Sequence, residues 1–413
     1  MQKKRIAKLV ASILICLCVF SCSSVLAIDT SSYVWTGNDY DLSIATNAKV
    51  EEGENDSLNL TSESCILIEQ NSGNILYGKN IHEQLRPASV TKVMTILLIM
   101  EALDSGRISL TDRIPCSENA SKMGGSQIWL DVKEQLTVDE MLKAICVVSA
   151  NDCTVAMAEY LAGSEEAFVK QMNEKAKTLG MKDTVFKNCH GIDEDGHVTS
   201  SYDIALMSRE LLRNHPEITK YTTIWMDTLR DGKSQLVNTN KLVRNYSGAT
   251  GLKTGSTSLA LYNLSASATR NGLSLIAVIM KAPTTKERFA DAQKVLDYGF
   301  SNYSYKELGK KDDLIRNLPV TKGVESNIDI VLESDMGALI QKGKEKEIVQ
   351  NITLEESLKA PINKGQVVGE VNYILEDKTI AKANLVAAKE IKKVSFINYS
   401  VNIIDRWFNL IRD

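Results

Sequence analysis

The segment Arg86-Pro87-Ala88-Ser89-Val90-Thr91-Lys92 leads into Val93-Met94-Thr95-Ile96-Leu97-Leu98-Ile99-Met100. From Val90 to Leu103 the chain is apolar on nearly every side, whereas a surface helix carries one apolar stripe. The pattern predicts a helix buried all round, with something at its start. Ser89 and Lys92 lie three residues apart, so on a helix they share a face and the amine can reach the hydroxyl. A serine hydroxyl attacks poorly until a base removes its proton. A lysine is that base only when burial or a neighbouring cation lowers its pKa. Alone, Ser-x-x-Lys reads as an N-cap serine beside a solvated lysine; the apolar surroundings of Lys92 make that solvation difficult.

Outward from this helix the chain organises itself. Cys65–Glu69 and Ile75–Tyr77, separated by Asn71-Ser72-Gly73-Asn74, predict a hairpin. Helical periodicity runs from Thr137 to Leu179. Leu259–Thr269 and Leu273–Lys281 flank Arg270-Asn271-Gly272 and predict a long hairpin with an Asn-Gly turn. A helix over Glu287–Tyr298 is expected to end at Gly299. Strands early and late with helices between predict an α+β fold: an antiparallel sheet covered by helices, plus a helical lobe. Past Ser301 short alternating strands, among them Val367–Leu375 and Ile380–Val386, predict a separate small all-β domain over 304–390.

The ends read differently. Lys3-Lys4-Arg5, the apolar run Leu9–Phe20 and Val25-Leu26-Ala27 predict a cleaved secretory signal over 1–27. Val19-Phe20-Ser21-Cys22 is a competing lipoprotein box, and an uncleaved anchor helix is the plain alternative. Residues 28–58 are polar and acidic and read as a flexible spacer. Over 391–413, Phe396/Ile397, Ile403/Ile404, Trp407/Phe408 and Leu410/Ile411 form one apolar face, predicting an amphipathic helix lying in a membrane surface.

The 413 residues carry a net charge of −4, which becomes −8 without the four cations of the signal. A general nucleic-acid binder needs clustered positive charge and is excluded. Outside the signal the cysteines are Cys65, Cys116, Cys146, Cys153 and Cys189, too sparse for a disulfide scaffold and read as small buried residues. If Cys146 and Cys153 are both helical they share a face about 10 Å apart along the axis, too far to bridge. Cys189, His190, Asp193, Asp195 and His197 could be read as metal ligands, but no His-Glu-x-x-His accompanies them and no metal is expected. Gly232-Lys233-Ser234 ends like a P-loop, yet Asp227 stands where the leading glycine is needed.

Two further elements complete the chemistry. Ser149-Ala150-Asn151 follows the apolar run Met141–Val148, and Lys253-Thr254-Gly255 precedes the long hairpin, about 60 and about 100 residues further on in turn. Each alone reads as a helix cap or a strand-edge lysine. The conjunction matches the penicillin-recognising serine acyltransferases. The chain resembles the serine D-alanyl-D-alanine carboxypeptidases, the low-molecular-mass penicillin-binding proteins, and within them the sporulation-type members of Gram-positive bacteria. Gly124-Gly125-Ser126-Gln127-Ile128-Trp129-Leu130, His190-Gly191-Ile192-Asp193, Asp227-Thr228-Leu229-Arg230 and Asn238-Thr239-Asn240-Lys241-Leu242 extend the resemblance over nearly the whole mature chain. Ala150 replaces a usual glycine, and Leu259 and Leu261 stand where an acid and a glycine are usual.

The resemblance implies a peptidase domain over 59–303 and removal of the terminal D-alanine from peptidoglycan stem peptides, with no cofactor and with β-lactams as covalent inhibitors. It implies Ser89 as nucleophile, Lys92 as base and Ser149 as proton carrier to the leaving amine. Asn151 would hold Lys92 and the substrate amide, Lys253 and Thr254 the terminal carboxylate, and the N–H groups of Ser89 and Ser256, next to Gly255, the oxyanion. Arg288 has two readings, a carboxylate binder and an ordinary helix-surface arginine. The location implied is the outer face of the cytoplasmic membrane or the wall. Endopeptidase action on cross-bridges is one alternative. A β-lactamase is another, and would need a deacylating glutamate; Glu210, in the Glu-x-x-x-Asn that ends at Asn214, reads as helix surface.

Overall fold

The structure is a computed structural model describing residues 57–394. The expected signal over 1–27, nearly all of the expected spacer over 28–58 and most of the segment 391–413 expected to be an amphipathic helix lie outside the described residues.

Five strands form the central sheet: β1 (Ser64–Glu69), β2 (Ile75–Lys79), β3 (Ala249–Thr257), β4 (Leu261–Arg270) and β5 (Leu273–Ala282). Their order is β2-β1-β5-β4-β3 and every neighbouring pair is antiparallel. Side chains alternate between faces along a strand, and here both faces are covered. Cys65, Leu67, Leu275, Ala277 and Ile279 pack with Phe289, Ala292, Val295 and Leu296 of the last helix. Ile66, Ile68, Ile276, Val278 and Met280 join the core of the helical lobe on the other side. Asn271 (φ +50°) and Gly272 (φ +79°) make the β4–β5 turn, with both central residues left-handed as the Asn-Gly signal demands.

The lobe is built on α1 (Lys92–Asp104), preceded by a 3-10 turn over Ala88–Thr91. Every residue of α1 from Lys92 to Met100 is buried. Closing such a core stabilises by about 2 kcal/mol per large apolar side chain, so this helix has no wet face to offer Lys92. Around it pack α2 (Val138–Val147), α3 (Asn151–Ala162), α4 (Glu165–Thr178) and α5 (Ser201–Asn214). A capping box between Thr137 and Glu140 starts α2. The chain breaks between α2 and α3, where Ser149 has φ +65°. Cys146 and Cys153 therefore sit on two helices and share no continuous face. All five cysteines of the described residues are buried. Glu210 lies on α5 and is committed to Lys175, 3.3 Å away.

The last helix, α6 (Thr285–Asn302), starts at Thr284, whose Oγ1 accepts from the Glu287 N–H at 3.2 Å. It runs past the expected stop at Gly299. A Cβ there would stand 2.5 Å from Leu275 Cδ1 and 2.9 Å from Leu67 Cδ2, so this glycine lets helix and sheet approach and does not terminate anything.

Directly after α6 the chain turns to β6 (Tyr303–Gly309), β7 (Leu314–Thr321), β8 (Asn327–Leu332), β9 (Met336–Gln341), β10 (Val349–Leu354), β11 (Leu358–Lys359), β12 (Val367–Leu375) and β13 (Lys378–Ala387). Six of these form one sheet in the order β10-β12-β13-β8-β7-β11, and β6 pairs with β9. Leu318, Ile328, Ile330, Val371 and Leu385 fill their core. Among the described residues no helix is long and apolar enough to cross a membrane.

Candidate active site

At the N-terminus of α1, Lys92 is fully buried and Ser89 part-exposed. Lys92 Nζ lies 3.0 Å from Ser89 Oγ, 2.6 Å from Asn151 Oδ1 and 2.6 Å from the carbonyl oxygen of His190. Burial pushes the Lys92 ammonium well below its usual range and nearby Lys253 adds to this, while Cys189 and Asp152 oppose it. A neutral amine has two N–H bonds and one lone pair. Asn151 Oδ1 and the His190 carbonyl can only accept, so they take both N–H bonds. The lone pair is left facing Ser89, the one partner with a proton to give. This is the arrangement of a base.

The surroundings hold each of these partners. Asn151 Nδ2 donates to the Gly124 carbonyl at 2.7 Å, which fixes Oδ1 toward Lys92, and Asn151 N–H donates to Ser126 at 2.7 Å. Next to it, buried Asp152 accepts from the N–H groups of Ile128 (3.1 Å) and Leu130 (3.0 Å). Arg230, paired with Glu134 at 2.6 Å, donates to the Ile128 carbonyl at 2.8 Å. The segment 124–130 is thereby fastened to the start of α3.

The loop after α4 supplies the second acceptor, the carbonyl oxygen of His190. Gly191 (φ +90°) passes so close to the nucleophile's turn that a Cβ would fall 1.9 Å from the Ala88 carbonyl oxygen. Thr91 Oγ1 donates to Ala88 O at 2.9 Å and lies 2.9 Å from His197 Nε2. Burial lowers His190 to about 3, with Lys92 adding to the effect, and burial lowers His197 to about 4, so both imidazoles are neutral. Asp195 pairs with Arg86 at 3.0 Å. The residues that could be read as metal ligands thus brace the turn that carries Ser89.

Strand β3 brings the last motif. Gly255 lies against the same turn, where a Cβ would be 2.9 Å from Pro87 O, Ser89 N and Val90 N. Lys253 is buried, donates to Thr254 O at 2.9 Å, and is lowered by burial to about 7, with Cys146 raising it and Arg288 lowering it. Thr254 Oγ1 lies 2.7 Å from Thr239 Oγ1. Ser256 is exposed at the strand's edge. Ser149 Oγ is buried and has no protein partner. Leu259 is exposed and Leu261 takes φ +54°, a conformation that suits the glycine usual there in similar proteins.

Arg288 is no helix-surface arginine. It is buried, its Nη1 donates to Gly255 O at 3.2 Å and Asn263 O at 3.1 Å, and burial lowers it to about 10. Helical spacing on α6 could not reveal this, because β3 and β4, which receive it, are distant in sequence. The structure brings Ser89, Lys92 and Asn151 into direct contact and sets Gly255 against Ser89. Sequence reasoning missed the His190 carbonyl, since a main-chain acceptor leaves no mark in side-chain identity.

A serine hydroxyl facing the lone pair of a buried lysine, inside a helix-covered antiparallel sheet, defines a serine acyl-transfer hydrolase. The chain belongs to the D-alanyl-D-alanine carboxypeptidase family, which matches residues 48–284; residues 303–393 match the C-terminal domain of penicillin-binding protein 5. It is 44% identical over 350 residues to the D-alanyl-D-alanine carboxypeptidase DacF of Bacillus subtilis, covering 84% of this chain and 90% of that one. Among solved structures, penicillin binding protein 5 of Haemophilus influenzae superposes with a TM-score of 0.69 at 34% identity, covering 81% of this chain and 98% of that one. Ampicillin-bound penicillin-binding protein D2 of Listeria monocytogenes gives 0.54 at 30% identity, covering 59% and 99%. The chain is a penicillin-binding serine D-alanyl-D-alanine carboxypeptidase.

Proposed function

We propose that Ser89 performs this reaction with Lys92 as its base. The observation that carries the assignment is the lone pair of Lys92, directed at Ser89 Oγ by two acceptors that can bond only to its N–H groups. Ser89 Oγ attacks the carbonyl carbon of the penultimate D-alanine while its proton passes to Lys92 Nζ. The oxyanion is met by the N–H groups of Ser89 and Ser256. The C–N bond then breaks, and Ser149, whose hydroxyl is otherwise unpartnered, carries a proton to the departing amine. Water releases the acyl group from Ser89. Asn151 receives the substrate amide, and Lys253, Thr254 and Arg288 receive the terminal carboxylate. That anion draws Lys253 back to its charged form, because an opposite charge at contact favours the ammonium. With Glu210 bonded to Lys175, deacylation after penicillin is slow.

The test is D-alanine release from a diacyl-L-lysyl-D-alanyl-D-alanine peptide by mature protein. Loss on Ser89→Ala and on adding penicillin is expected; release surviving Ser89→Ala would overturn the assignment.

The substrate lies in the wall, so the enzyme works outside the cytoplasm. Residues 1–27 are proposed to export it, and residues 391–413 to hold it on the membrane surface through Trp407, Phe408 and their apolar neighbours. Deleting Phe396–Asp413 should move the mature protein to the soluble fraction; continued membrane association would refute the anchor. A role in sporulation, expected from the sequence resemblance, is checked by the timing of expression; expression confined to vegetative growth would refute it.

A further inference from the structure

Glu165 opens α4 outside the catalytic motifs, and nothing in the reaction assigns it a role. Its Oε1 accepts from Cys189 N–H at 3.1 Å and Cys189 S–H at 3.2 Å, and it lies 3.4 Å from His190 Nε2. His190 Nδ1 accepts from Ile192 N–H at 3.1 Å. The proton of this neutral ring therefore sits on Nε2, directed at Glu165. From the other side Thr95 Oγ1, about one turn after Lys92 on α1, donates to Cys189 O at 2.6 Å. One carboxylate oxygen thus gathers both donors of Cys189 with the His190 ring nitrogen 3.4 Å away, and the next carbonyl in the chain, that of His190, is an acceptor for Lys92.

We propose that Glu165 is a positioning residue for Lys92, acting through the carbonyl of His190. The inference rests on Lys92 being the base. Without Glu165 the carbonyl is carried by a loop with glycine at its next position, Gly191 (φ +90°). A lysine with one fixed acceptor instead of two can rotate its lone pair off Ser89. Glu165 is part-exposed and its contacts are with Cys189 and His190, not with Ser149, Asn151 or Lys253, so its effect falls on the proton-transfer step and leaves binding alone.

The experiment is penicillin acylation by stopped-flow, resolving the binding constant from the first-order acylation constant, alongside D-alanine release. Glu165→Ala should lower the acylation constant and kcat by about 10- to 100-fold, the cost of a misplacement of about 1 Å, with the binding constant and KM within about twofold. Glu165→Gln keeps an Oε1 that can accept both Cys189 bonds and face the His190 ring, and should act within about threefold of wild type. Glu165→Asp falls short of His190 and should behave like Ala. Wild-type acylation by Glu165→Ala, or a Gln variant as impaired as Asp, would overturn the inference. If Glu165→Ala does not fold, the contrast between Gln and Asp decides alone. Lys92→Met separates the two readings. Acylation surviving that change defeats the base assignment, whereas an inactive Lys92→Met beside a normal Glu165→Ala defeats the role of Glu165 alone.

Discussion

Between Leu60 and Asp291 the chain buries Lys92, Lys253, Arg288, Asp152 and Asp203 among many other polar side chains, whereas among the described residues from Tyr303 to Val394 every buried side chain is apolar. Around the site Ala88, Ser149 and Leu261 are left-handed; elsewhere in both domains the left-handed non-glycine residues are mostly polar, such as Asp231 and Asn271 in the first and Asp312, Lys322, Glu376 and Asp377 in the second. Burying an ionisable group costs several kcal/mol unless its bonds are met. Among the described residues only the first domain carries that cost, in part on Lys92 and Lys253 at the site and in part on Asp152 and Asp203, which hold backbone N–H groups.

The sharpest break of this contrast is Lys92→Met. Acylation should fall by about 1,000-fold while the melting temperature shifts by only a few degrees, because removing a buried amine offsets the donors lost by Asn151 Oδ1 and the His190 carbonyl. A large loss of stability would mean that Lys92 is structural after all. Next comes Ile330→Ala in the β domain. It should destabilise by about 2–5 kcal/mol and leave kcat/KM on a soluble tripeptide unchanged; a parallel loss of activity would show that the two regions are coupled.

Smallest is a pH effect at Lys253. Its amine titrates at about 7 in the fold against 10.5 unperturbed, so between these values the unfolded chain binds more protons and stability rises with pH. Compared with Lys253→Met, wild type should gain on the order of 2 kcal/mol from pH 6 to pH 9 in urea unfolding. Parallel curves for the two proteins would refute this.

Much of the fold was readable because its signals are local. Asn271-Gly272 marked the hairpin, the all-apolar face of α1 marked a central helix, and alternation past Ser301 marked a β domain. What escaped depends on distant partners. Gly299 imitates a stop until Leu67 and Leu275 are known to press on it. Arg288 imitates a surface arginine until Gly255 and Asn263 present their carbonyls. In the site the motif residues announce themselves by type and spacing, while His190 contributes a main-chain oxygen common to every residue, and Glu165 stands far from any motif.

The three partners around Lys92 bear on speed as well as basicity. When the amine becomes an ammonium its third N–H can donate to the Ser89 oxygen along the line its lone pair had occupied, and Asn151 and His190 keep their places. Charge arrives without any heavy atom having to move. The reorganisation energy that water would demand for the same proton transfer is thus largely absent, and each return of the proton starts from the geometry the last one left.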